Sequence, residues 1–193
     1  MRPSRVFRLI FRIFIFLLII SITLVSILGG LSAVLILTTP DTIGLDTDNA
    51  DFDLQINNST FEVEDFSFTL PFNLTNSGFF DLENLELLIN LNLNYSHVDD
   101  PVPGVNTTRQ VQIFTKYQNF GNIPKGTTGT FTFTGDLSNF NLGVLPNFTS
   151  EVDWYRGPPA IEFFADIIIS LDYSIGLHTL RIGILDLQLG GLP

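Results

Sequence analysis

The residues of this chain best equipped for covalent chemistry are asparagines. Asn57, Asn58, Asn73, Asn94, Asn106 and Asn147 each begin an Asn-x-Ser/Thr triplet with no proline in the middle. Such a triplet is an acceptor for N-linked glycan, a bulky solubilising group on the surface of an exported chain. The 153 residues from Asp41 to Pro193 hold 15 asparagines and 23 serines or threonines. Chance placement would give about two acceptors in that composition, so six is an excess. Asn57 and Asn58 overlap, so one of the two is expected to be used. The competing reading is an Asn- and Thr-rich strand surface without modification.

The other chemical constellations are weaker. Glu62 and Glu64 share a strand face, as an acid–base carboxylate pair would. Their alternation with Phe61 and Val63 reads equally as a solvent side opposite a core side. His97 beside Asp99 and Asp100 could titrate as a pair, against the reading of an exposed loop histidine. Asp41, Asp46, Asp48, Asp51 and Asp53 could chelate calcium, but the glycine and distal glutamate of an EF-hand loop are missing. A solvated acidic stalk is the simpler reading. Cysteine is absent, so neither disulfides nor thiol chemistry exist. No phosphate-binding glycine loop or G-x-S-x-G elbow occurs, and His178 stands outside any metal spacing. No catalytic, cofactor-binding or metal-ligating residue is assigned, and a non-enzymatic protein is expected. Trp154, Tyr155 and Arg156, in "DWYRGPP", remain. On a loop they could bind sugar or a partner protein; alternatively the aromatics plug one end of a β-domain.

These residues must be carried by two very different parts of the chain. From Ile13 to Pro40 no charge occurs, and Ile, Leu, Val and Phe dominate. In a helix such a run exceeds the roughly 30 Å hydrocarbon core of a bilayer. Arg2, Arg5, Arg8 and Arg12 precede it, and all 20 acidic residues follow it. The positive-inside rule then places the N-terminus in the cytoplasm and the remainder outside. A signal peptide cut after Ala33 competes with a permanent anchor. The run is longer than the roughly 7–15 residues of a signal core and stays apolar past Ala33, which favours the anchor. Gly29, Gly30 and Ala33 form a small-residue patch that could let two helices approach, or are ordinary glycines of a membrane helix.

Beyond Pro40, which ends the helix, apolar residues recur with period two. In "NLELLINLNLNYS", Leu85, Leu87, Ile89, Leu91, Leu93 and Tyr95 alternate with Asn90, Asn92 and Asn94. The odd residues are predicted to face a core and the asparagines to face water. Phe66, Phe68, Leu70, Phe72 and Leu74 alternate too, out of phase with Phe61 and Val63. A bulge or short turn is therefore predicted at Glu64–Asp65. Val111, Ile113 and Tyr117 mark a further strand, and "TFTFT" another. "DIIISLDYSI" and "LRIGILDLQL" supply two more, joined near Gly176. Residues 138–160 are irregular and rich in Pro and Gly, as a long loop or short helix would be. The expected fold is all-β, an antiparallel Ig-like β-sandwich behind one transmembrane helix. The divisions are a basic cytoplasmic start at 1–12, a signal anchor at 13–39, an acidic linker at 40–51 and the sandwich at 52–193.

Three stretches resemble the group-2 late embryogenesis abundant family, also called the water stress and hypersensitive response domain. "FEVEDFSFTLPFNLTNSGFFDLENLELLINLNLNY" is similar to its strand, Asn-Pro-Asn-like turn and next strand. Ser77 stands where the family usually has proline. "NIPKGTTGTFTFTGDL" is similar to its Ile-Pro-Ala-Gly-Ser turn and following strand. "ADIIISLDYSIGL" is similar to its closing strand, with Leu171 and Asp172 near a usual glycine. The resemblance covers about Phe61 to Leu189. It implies a small antiparallel β-sandwich, non-enzymatic, tied to stress tolerance or cell-surface roles.

The part from Asp41 onward carries 5 basic and 20 acidic residues, a net −15. That surface repels phosphate backbones, so nucleic acid is not an expected partner. The expected partners are the lipid bilayer, through residues 13–39, and surface proteins or glycans, with self-association also compatible. A membrane-anchored surface protein of structural or interaction type is the leading expectation. A secreted filament subunit, assembled by strand donation after cleavage near Ala33, is the alternative.

Overall fold

The computed structural model describes residues 3–39, 42–46, 49–57, 62–99, 108–147, 150–155 and 160–192. Among the described residues one long helix, α1 (Pro3–Thr38), precedes eight strands. Its stretch Ile10–Thr38, 29 residues, is long and apolar enough to cross a membrane. Almost all its large side chains are exposed. The strands are β1 (Ile43–Leu45), β2 (Asp51–Ile56), β3 (Val63–Thr75), β4 (Leu82–Ser96), β5 (Thr108–Ile123), β6 (Thr128–Asp136), β7 (Ile161–Tyr173) and β8 (His178–Leu192).

The strands form two antiparallel sheets around one core. In the first, β6 runs along one edge of β3, from Ser67 to Thr75, so β1 and β2 share the other edge end to end. Pro71 falls where β1 and β2 meet, and its carbonyl accepts the Asp46 N–H at 3.0 Å on that side. A strand residue points its N–H and C=O the same way, so the donor that proline lacks is lost where no strand needs it. The second sheet has the order β5-β4-β7-β8. Phe66, Phe68, Leu70, Phe72 and Leu74 of β3 join the odd residues of β4 and β7 in the core.

Several expectations are met for physical reasons visible in the register. Gln55 pairs with Asp65 and Ile56 with Val63, which leaves Glu64 as the extra residue of a bulge where the phase slips. Residues 138–160 contain only short 3-10 turns and loop among their described part. Ser174 to Leu177 form the last turn, with Gly176 at φ +70°.

Two expectations need correction. Residues 40–51 are not all linker, because Ile43–Leu45 pairs with Phe72–Leu74. Three residues are too few to show a period, and the Asn73 amide lies over Gly44 where a side chain would otherwise stand. Tyr117 lies in β5 as predicted, and it faces outward. Leu91 pairs with Phe114 and Asn92 with Gln112, so Ile113 is a bulge residue that buries beside Phe114 and reverses the alternation after it. The asparagine row of β4 does not simply face water. Asn92 is only 8% exposed and donates through Nδ2 to Asp166 at 3.0 Å, and Asn90 and Asn94 are half-buried. β4 is flanked by a strand on each side, so its outward side chains are walled by cross-strand neighbours.

At one end of the second sheet Asp172 accepts from Asn84 Nδ2 at 3.0 Å and Thr179 Oγ1 at 2.7 Å, joining β4, β7 and β8. These bonds, Asn84's first, hold its carboxyl below the usual carboxylate range. Because the folded pKa is the lower one, its stabilisation is present above the unfolded pKa and is lost as pH falls through the folded value. The stability of Asp172→Asn should therefore fall less steeply on acidification than that of the native chain. Urea midpoints measured from neutral pH down into the carboxylate range test this, and parallel acid profiles would contradict it.

The two faces of β4 differ in what substitution costs. Ile89 is 0% exposed, so Ile89→Asn should lose about 3–5 kcal/mol through lost packing and an unpartnered buried amide. Asn92→Thr removes the bond to Asp166 and should cost about 1 kcal/mol. Urea unfolding of the full chain in detergent compares them, and equal losses would contradict the facing described.

Candidate functional site

One end of the β-domain is assembled around a buried amide. Asn76, 0% exposed, follows β3. Its Nδ2 donates to the carbonyls of Phe80 at 2.9 Å and Ile123 at 3.0 Å, and its Oδ1 accepts from Gly78 N–H at 3.0 Å. Its backbone N–H donates to the Thr127 carbonyl, and its carbonyl accepts from Gly126 N–H. One side chain thus satisfies the β3–β4 turn and the end of β5 together, as a buried polar group must. The sequence reads "TNSG" as a turn but does not reveal this hub. An asparagine in a turn is ordinary, and its partner Ile123 lies 47 residues away.

Helix α1 docks against the same end. Val25, Leu28, Gly29, Ser32, Ala33 and Ile36 form its only covered stripe among the described side chains, at the spacing of one helix face. A Cβ on Gly29 would come within 2.3 Å of Ser174 Oγ, so any larger residue would displace that hydroxyl. One turn on, Ser32 Oγ accepts the Phe79 N–H at 2.9 Å and donates to the Leu28 carbonyl. Ile36 enters the core cluster itself. The small-residue patch is therefore divided. Gly29 and Ala33 face the β-domain, while Gly30 has open space beside it.

The opposite end carries the aromatic loop, and the structure splits its two residues. Trp154 packs against the core, whereas Tyr155 is 99% exposed. Arg156 lies outside the described residues. His97 sits nearby in a bridge to Val152. It is buried, not an exposed loop residue, with Nδ1 accepting the Asp99 N–H at 3.1 Å. Asp100 lies outside the described residues. Of the paired glutamates, Glu64 accepts from Asn57 Nδ2 at 2.6 Å, and both are exposed. Of the linker aspartates, Asp46 is engaged by Asn49 and Asp53 by Gln55, while Asp41 and Asp48 lie outside the described residues. Among the described residues no group of three His, Asp or Glu is placed to hold a metal.

The glycan acceptors fall in unequal settings. Asn147 is exposed in the loop after the second 3-10 turn, and its carbonyl accepts from Ser150 and Glu151. Asn73 is exposed on the outer side of β3 beside Gly44. Asn57 is half-buried with its amide on Glu64. Asn94 is half-buried in mid-strand, with its Oδ1 sealed from water and without a hydrogen-bond partner. Asn58 and Asn106 lie outside the described residues.

No family model matches the chain, and no curated protein matches it. Among solved structures it is similar to Spo0M, a sporulation control protein from Bacillus subtilis, at 14% identity and a TM-score of 0.31. That likeness covers 75% of this chain and 49% of Spo0M, so the chain spans about half of that protein's length. It is also similar to the ApaA protein of Bordetella pertussis, at 11% identity and a TM-score of 0.28, over 78% of this chain and 94% of that one. At these scores neither likeness bears on function.

Where the chain meets a glycosylating machinery, Asn147 should be occupied and Asn94 should not. Intact-mass measurement of Asn147→Gln and Asn94→Gln checks this. Loss of a glycan mass from the second variant alone would contradict it.

Proposed function

We propose that this chain is a single-pass, membrane-anchored surface protein whose Ig-like β-sandwich stands outside the cell. Its role is non-enzymatic, in structure, stress protection or interaction with other surface proteins or glycans. The observation that carries the reading is the pairing of exposure and docking on one helix. α1 leaves its apolar surface bare from Ile10 onward, except for the stripe that seats the β-domain. A bare apolar surface of that length suits lipid, because water would expel it. The arginines before it and the acidic residues after it favour a cytoplasmic start. The acceptor triplets and the fully exposed Tyr155 at the far end suit an outward-facing domain. The resemblance to the group-2 late embryogenesis abundant family agrees with this arrangement and is part of the proposal.

The alternative, a secreted filament subunit cut after Ala33, draws less support. α1 continues as helix through Ala33, and cleavage there would remove Gly29 and Ser32 from their contacts with the β-domain.

Protease added to intact cells should digest the β-domain and spare the arginine-rich start. Protection of the whole chain would overturn the orientation, and a native N-terminus near Val34 would overturn the anchor.

A further inference from the structure

The end of the β-domain that receives the helix exposes apolar residues where turns are ordinarily polar. Phe79 in the β3–β4 turn is 40% exposed, and Ile175 and Leu177 in the β7–β8 turn are 71% and 61% exposed. Ile175 also holds φ at +63°, and Ser174 before it +58°. Left-handed backbone is costly for a β-branched residue, and asparagine or glycine would serve such a turn more cheaply. A strained, exposed isoleucine at a turn tip points to a use for its side chain.

The height of these residues along the helix identifies what they meet. A hydrocarbon core of about 30 Å takes roughly 20 helical residues. Counted from Arg12, the last charge, that span ends near Ser32. Ser32 is the residue whose Oγ accepts the Phe79 N–H. Gly29, one turn nearer the hydrocarbon, touches Ser174 and His178 at the base of the other turn. Both apolar turns therefore lie where α1 leaves the hydrocarbon. Lys125, one of five basic residues in an otherwise acidic domain, stands over the Phe79 ring at 5.8 Å. A long ammonium stem beside an aromatic ring suits the boundary between acyl chains and phosphates. Only residues 39–42 separate α1 from β1, so the domain has little tether on which to move away.

We propose that Phe79, Ile175 and Leu177 are seated in the interfacial layer of a phospholipid bilayer, so that the β-domain stands on the membrane at the foot of its own anchor. The proposal rests on the membrane-anchor reading, and its test separates the two. Trp154 is the one tryptophan of the chain and lies at the opposite end of the strands. The full chain is reconstituted in phosphatidylcholine vesicles containing lipids brominated high on the acyl chain. Phe79→Trp and Leu177→Trp are each made in a Trp154→Phe background, and Phe16→Trp in the same background, read with lipids brominated deeper in the chain, reports the helix. Circular dichroism confirms that each variant keeps its β-domain, and two tip positions guard against one of them failing to fold.

The indoles introduced at 79 and 177 should be blue-shifted and lose emission to the brominated lipid, while native Trp154 should not. Loss of emission at 16 but at neither tip position would overturn the seating and leave the anchor standing. Loss at none of the three would overturn both. Loss at Trp154 equal to that at the tip would overturn the seating by showing that the domain lies on its side.

Discussion

Strand β4 is hydrogen-bonded along both edges, to β5 and to β7, and its odd-numbered side chains from Leu85 to Leu93 are sealed from water. The remainder of the β-domain is arranged around that constraint. A strand with two partners and one dry face needs a second layer, and the even-numbered Phe and Leu of β3 supply it. The Phe66–Phe114 and Phe52–Phe163 ring contacts, with centroids 5.2 and 5.8 Å apart, then join the two sheets, while Phe52–Phe66 and Phe68–Phe133 join strands within the first. No disulfide assists, since cysteine is absent, so cohesion rests on burial and on the ladders.

The same central position gives β4 its half-buried outer row. Thr115 Oγ1 donates to Asn90 Oδ1 at 2.8 Å, Asn92 reaches Asp166, and Asp166 in turn accepts the Asp186 N–H at 3.0 Å. Asp186 stands at φ +55°, where the β7–β8 register shifts. Cross-strand hydrogen bonds thus tie β5 to β4 at Asn90, and β4 to β7 and β8 through Asn92 and Asp166. The polarity of the row is a structural asset of the sheet as much as a surface for solvent.

Asn76 does for the turns what β4 does for the sheets. By satisfying the β3–β4 turn and the end of β5 with one amide, it fixes Phe79 beside Ser32, and Gly29 lets the β7–β8 turn close on the helix from the other side. The middle of the covered stripe on α1, Gly29, Ser32 and Ala33, is made of small residues. A bare apolar helix and a well-packed β-domain are thereby joined through close backbone approach, with little side-chain volume between them. That junction sets the height of the turns along the helix, and the proposed contact of the domain with lipid depends on it.

Much of this was legible in the residue pattern because it depends on local periodicity. The apolar run of α1, the two alternating faces of β3 and β4, and the bulge at Glu64 each follow from the spacing of side chains along a helix or strand. Other features depend on which strands become neighbours, and spacing does not encode that. Asn92 and Asn94 alternate just as solvent-facing residues do, yet the strands on both sides of β4 bury the first and half-bury the second. Ile43–Leu45 is too short to show a period until Phe72–Leu74 offers it an edge. Trp154 and Tyr155 are adjacent and similar in type, but only the packed end of the sheets decides that one plugs and the other projects. Gly29 reads in sequence as a membrane-helix glycine. What gives it a partner is a turn 145 residues further on, at Ser174, brought near by long-range strand pairing that no local pattern contains.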